Sequence, residues 1–116
     1  MTLDLADRSC TRTRRGVPPL SREQFAPLLD ALDGWVVEED RKLLKTYRFP
    51  DWAQAQAFVV AAGAVAEAEN HHPDLLLAWG KVGAEIFTHT INGLTESDFV
   101  LAAKLDRLFA ERSVVR

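Results

Sequence analysis

The feature that most constrains this chain is a central apolar helix with a proline beyond each end. Pro50 breaks the stretch before it, Asp51 supplies an N-cap, and Gln54 stands at the capping-box position. Pro73 disfavours helical geometry at His72 and so limits how far the helix can run. From about Trp52 to Glu69 the spacing predicts one helix. Ala55, Phe58, Val59, Ala62, Val65 and Ala66 make one broad apolar face, and Val60, Gly63 and Ala64 extend it onto a neighbouring face. A helix apolar over so much of its circumference is expected to be covered on more than one side, by a sheet and another helix or by another subunit.

Each side of this helix carries a strand pair. Before it, residues 35–49 read as a hairpin, with Trp35, Val36 and Val37 opening one strand and Asp40-Arg41 marking the turn. Leu43, Tyr47 and Phe49 share a parity on the second strand, with Lys45 as the exception. After it, residues 75–80 and 82–89 form a second pair around Gly80-Lys81, with imperfect alternation at Leu75, Leu76 and Leu77. Trp79 is by default a core aromatic on a strand and could equally line a pocket for a flat heterocycle.

Two further helices flank these pairs. The first starts at Ser21, with Gln24 completing a capping box and Leu20 and Phe25 at the positions of a hydrophobic staple. Its stripe is Phe25, Leu28, Leu29 and Leu32; Pro27 interrupts the second turn, and Gly34 suits a left-handed C′ position. The last helix follows the Asn92-Gly93 turn, with Thr95 as N-cap, Asp98 completing the box, and Leu101, Ala102, Leu105, Leu108 and Phe109 as the core stripe. The order α-β-β-α-β-β-α predicts an α+β fold, a four-stranded antiparallel sheet with helices packed on one face. Residues 18–116 are expected to be the single domain. Residues 1–17, aperiodic and rich in arginine, are expected to be a mobile N-terminal tail, and Ser113–Arg116 to fray.

Composition narrows the function classes. A net charge of −3 gives no electrostatic reason to expect nucleic acid or an anionic membrane as partner. No apolar run approaches a bilayer span, and no signal-peptide core stands at the N-terminus. The single Cys10 rules out an intrachain disulfide and suits a reducing compartment, so a cytoplasmic protein is expected.

All three histidines fall in one segment. His71 and His72 are adjacent at the end of the central helix, and His89 ends the last strand. Glu67 stands four residues before His71, on the same side of the helix if the helix reaches that far. Asp98 lies on the same sector as the core stripe of the last helix. Imidazole suits proton transfer near neutral pH, so His71 and His89 are candidates for general acid–base catalysis. The alternatives are satisfied surface or core histidines, or a zinc site of three imidazoles, although adjacent histidines seldom both reach one ion and no HExxH pattern is present. Nucleophilic catalysis has no candidate: Cys10 is in the tail and no serine has a G-x-S-x-G setting.

Glu67, His71-His72-Pro73, Trp79, His89 and Asp98, at these spacings, resemble the signature of the pterin-4a-carbinolamine dehydratases, also called 4a-hydroxytetrahydrobiopterin dehydratases. Gly34-Trp35, Tyr47-Arg48-Phe49, Asp51-Trp52, Thr88-His89 and Gly93-Leu94-Thr95 are similar to the framework of that family over roughly residues 20–110. Leu75 departs from it, standing where some members carry an aromatic. The resemblance implies a 4a-hydroxytetrahydropterin substrate, formed when an aromatic amino acid hydroxylase uses tetrahydrobiopterin, and a quinonoid dihydropterin plus water as products. It implies a lyase with His71 and His89 in the acid–base roles, His72 binding and polarising the substrate, and Glu67 and Asp98 as orienting groups. It also implies pterin contacts at Asn70 and along Phe87, Thr88, His89 and Thr90, no metal or redox cofactor, and a homodimer or homotetramer. The rival implied by the same resemblance is a non-enzymatic binding protein, a dimerisation cofactor of transcription factors or an assembly factor for a carbon-fixing enzyme.

Overall fold

The computed structural model describes residues 4–112. The fraying expected for Ser113–Arg116 and the first three residues of the expected tail lie outside the described residues. The elements are α1 (Arg22–Asp30), β1 (Val36–Glu38), β2 (Lys42–Arg48), α2 (Trp52–Glu69), β3 (Asp74–Ala78), β4 (Lys81–Ile86) and α3 (Glu96–Glu111). Short 3-10 turns add Leu5–Asp7 and His89–Ile91. The four strands form one antiparallel sheet in the order β1-β2-β4-β3, and α2 and α3 pack on one of its faces. The α+β architecture and its element order are those expected.

Parity explains the sheet. Leu43, Tyr47 and Phe49 are buried beneath the helices beside Val82, Ala84 and Ile86 of β4. Leu75 and Leu77 pack against the same core while Leu76 between them is 70% exposed, so the three consecutive leucines still alternate across the sheet. The first hairpin turns one residue earlier than expected, at Glu39-Asp40, both with positive φ (52° and 56°), while Arg41 N–H closes on Glu38 O. Two consecutive left-handed residues give the turn that matches the natural twist of paired strands.

The helix ends follow their caps. The Ser21 hydroxyl accepts from Gln24 N and the Gln24 side chain accepts from Ser21 N, so the expected capping box closes; Pro27 is accommodated inside α1. Asp51 accepts from Gln54 N, and α2 ends at Asn70 in the left-handed region (φ 52°). Gly34 has the expected positive φ of 81°, but it lies beyond the turn that follows α1 rather than at the helix C′ position.

Two features lay outside the sequence pattern. Lys45 shares the inward parity because its ammonium has partners: it donates to Asp106 Oδ1 at 2.8 Å and to Asp33 O at 2.8 Å, beside the rings of Trp35 and Tyr47. The same carboxylate accepts from Tyr47 Oη at 2.7 Å and Trp35 Nε1 at 3.0 Å, which ties β2 and the start of β1 to α3. Trp79 is not a core residue and does not line the cavity that holds the histidines: it occupies the β3–β4 turn and is 70% exposed.

From Asp4 onward the segment expected as a mobile tail lies against the domain. Leu5 is buried with the main core, Lys104 Nζ donates to Ala6 O, and Arg107 and Arg8 pair with Asp7 and Glu96. Its anchors are one buried leucine and a series of hydrogen bonds, which leave no apolar periodicity to detect.

Candidate active site

Asp98, on the first turn of α3, is fully buried at 0% exposure and both oxygens of its carboxylate are engaged. Oδ2 accepts from Thr95 N at 2.8 Å, which caps the helix, and from Thr88 Oγ1 at 2.8 Å. Oδ1 lies 2.6 Å from His71 Nε2. An ionised carboxylate is acceptor-only, so this contact matches the tautomer that carries its proton on Nε2. Nδ1 of His71 is left without a protein partner among the described residues, and no buried side-chain nitrogen or oxygen there lacks one, so this nitrogen is open to solvent.

The expected Glu67–His71 pairing does not form. Asn70 turns the chain out of the helix, and His71 N bonds back to Ala66 O, so the i, i+4 spacing ceases to place the two residues on one helix side. Glu67 instead meets His72: the His72 Nε2···Glu67 Oε1 distance is 2.8 Å on an exposed surface. The two carboxylates therefore pair with one imidazole each.

His89 does not end a strand. β4 stops at Ile86, Thr88 makes a single bridge to Gly93, and His89 opens the 3-10 turn. Its ring lies 4.2 Å from the Phe87 ring, centroid to centroid. Asn92 in the left-handed region (φ 49°) ends that turn.

These pieces surround one cavity of about 730 Å³, a size typical of small-molecule sites. Asn70, His71, His72, Thr88, His89 and Thr90 line it. The two secondary-structure ends that carry the histidines, the C-terminus of α2 and the loop after β4, thus meet at a single space. Phe87 and Glu67 are not part of the lining; they stand behind His89 and His72 respectively. Among the described residues no group of three or more histidine, cysteine, aspartate or glutamate side chains is arranged to hold a metal ion.

Sequence reasoning missed the remaining wall. Residues 11–15, from the arginine-bearing N-terminal segment, complete the lining. Thr11 N donates to Ser97 Oγ at 2.8 Å and Cys10 N to Glu69 Oε1 at 2.8 Å, which fixes the segment beside the start of α3. The arginine cluster was the available signal. Cys10 itself is no nucleophile: burial, then the charge of Glu69, pushes its thiol up to about 12.

Comparison with known proteins agrees with this geometry. The profile described as pterin 4 alpha carbinolamine dehydratase matches residues 18–108. A relative from Rubrobacter xylanophilus, assigned to pterin-4-alpha-carbinolamine dehydratase by name, is 46% identical over 90% of this chain and 98% of its own. Another from Rickettsia bellii, bearing the same name, is 48% identical over 93% of this chain and 96% of its own. Among solved structures, a transcriptional coactivator/pterin dehydratase from Brucella melitensis superposes with a TM-score of 0.73 at 32% identity, covering 78% of this chain and 98% of that one. A pterin dehydratase-like protein identified as a RuBisCO assembly factor in the alpha-carboxysome gives 0.57 at 27% identity, covering 69% and 93%. Among the described residues no helix is long and apolar enough to cross a membrane. With the family profile matching residues 18–108 and relatives 46% and 48% identical over nearly the whole chain, the chain belongs to the pterin-4-alpha-carbinolamine dehydratase family.

Proposed function

We propose that this protein dehydrates a 4a-hydroxytetrahydropterin to the quinonoid dihydropterin by histidine acid–base catalysis. The observation that carries the reading is the convergence of His71, His72 and His89 on one cavity, with His71 held by a buried carboxylate. The reaction asks for little else. An imidazolium delivers a proton to the C4a hydroxyl, the lone pair of the adjacent ring nitrogen expels water, and a base removes the N–H proton from that nitrogen. One proton is given and one is taken, so the pair of imidazoles returns to its starting charge after a proton relay. Each such transfer typically contributes about 10²–10⁴ in rate.

His71 and His89 take the acid–base roles and His72 binds and polarises the ring. Asp98 orients His71 and Glu67 orients His72, a different division from the one the helix spacing suggested. Asn70, Thr88 and Thr90 supply polar groups around the pterin edge, and Phe87 backs the His89 ring. The substrate would come from an aromatic amino acid hydroxylase working with a tetrahydropterin, in the cytoplasm. The outward side of α2, with Val60 70% exposed and Ala53, Ala57 and Ala64 beside it, supports a homodimer or homotetramer.

The Brucella melitensis and carboxysome neighbours give a second reading, a binding protein on the same scaffold. The presence of all three histidines around one cavity, with carboxylates paired to His71 and His72, favours the enzyme, since dehydration needs groups that give and take protons at one place. Turnover of chemically prepared 4a-hydroxytetrahydropterin separates the two. His71→Ala and His89→Ala should each lower turnover by more than about tenfold with the fold intact by circular dichroism. Wild-type rates in both variants would refute the assignment of roles.

A further inference from the structure

The cavity has a wall that the dehydration does not use. Between Thr11, hydrogen-bonded to Ser97, and Leu20, whose N–H donates to Leu94 O at 2.8 Å, the chain crosses beside the histidines as a strap fixed at both ends. Its middle is turned at Gly16 (φ 83°), where Val17 N bonds Arg14 O at 3.4 Å. Pro19 packs so closely on Gly93 that a Cβ there would lie 2.5 Å from Pro19 Cβ, which fixes the strap against the loop that carries His89.

This strap places Arg12, Arg14 and Arg15 on the cavity. Among the described residues none of the three meets a carboxylate, whereas Arg8, Arg22, Arg41 and Arg107 each do. The lining holds three arginines and three histidines and no aspartate or glutamate, in a chain whose net charge is −3. The carboxylates nearest the histidines are already engaged, Asp98 by His71 and two threonine donors and Glu67 by His72. A positive, unneutralised wall attracts anions, and the guanidinium fork matches phosphate oxygens in paired hydrogen bonds. A neutral bicyclic ring with a hydroxylated side chain offers such a wall only neutral acceptors and no charge to balance it.

We propose that the strap is a specificity wall for an anionic side chain, so that the pterin preferred by this site carries a phosphate ester at the end of its substituent. The inference rests on the reading of the cavity as a pterin site. It is tested by fluorescence titration of the full chain with 6-hydroxymethylpterin and with its phosphate monoester. The ester should bind at least about tenfold more tightly, an advantage that shrinks as sodium chloride is raised and screens the guanidinium charges. In the combined R12Q/R14Q/R15Q variant, all at exposed positions, the ratio of the two affinities should fall toward one. Equal affinities in the unaltered protein, or a ratio that survives the triple substitution, would overturn the proposal and leave the pterin reading in place. Failure of both pterins to bind would overturn that reading itself, and this proposal with it.

Discussion

His71 and His72 are neighbours in the chain and each meets a carboxylate, yet the two pairs differ in kind. The His71–Asp98 pair is 2.6 Å long with side-chain exposures of 12% and 0%; the His72–Glu67 pair is 2.8 Å long with 54% and 81%. The first carboxylate is held by a helix N-terminus and a threonine, so it can impose a tautomer and a direction on its imidazole. The second stands in water, where two mobile side chains gain little from meeting. Similar contact distances therefore carry different meanings, and burial with saturated partners marks the pair on which chemistry can depend.

Breaking the buried pair should have the largest effect. Asp98→Ala removes the acceptor for Thr88, Thr95 and His71 together, and should lower stability by about 3 kcal/mol or more in urea unfolding. Asp98→Asn is the sharper variant. An amide can still accept from the helix N–H, but its NH₂ would face His71 Nε2 and favour the opposite tautomer. Turnover should drop by about 10²-fold or more in kcat with the fold retained.

Glu67→Gln should change much less. The exposed pair predicts a loss of under about threefold in turnover and a stability change within about 0.5 kcal/mol. A kcat loss as large as that of Asp98→Asn would erase the distinction between the pairs.

The helix end that presents Glu67 to water presents Glu69 inward, where it accepts from Cys10 N. Burial beside that carboxylate raises the Cys10 thiol from an ordinary 9.0 to about 12. Below 9.0 both folded and unfolded chains keep the proton; above it the unfolded chain ionises first. The folded state therefore loses stability as pH rises from 9.0 toward 12, and Cys10→Ser should flatten that decline. At pH 8, iodoacetamide should label native Cys10 at least about tenfold more slowly than the unfolded chain. Equal rates would detach the strap from its anchor.

Much of the fold was legible because local rules agreed with one another. Ser21 with Gln24, Asp51 with Gln54, and the parity of Leu43, Tyr47 and Phe49 each set an element that the structure contains. The histidine segment was legible too, but its pairing was not. The i, i+4 rule holds only on a continuing helix, and Asn70 in the left-handed region turns His71 away from Glu67 toward α3. His89 looked like a strand end because alternation cannot reveal the 3-10 turn that starts there. The strap and the Asp106 cluster rest on hydrogen bonds between residues far apart in the chain, Thr11 with Ser97 and Lys45 with Asp106, which no periodicity encodes.

The measurement closest to the central claim is a crystal structure with an unreactive pterin bound. The account predicts the bicycle in the cavity between the α2 C-terminus and the loop after β4, with C4a placed so that an oxygen on it would lie about 3 Å from His71 Nδ1 or the His89 ring. A pterin seated elsewhere on the chain, with neither imidazole near C4a, would contradict it.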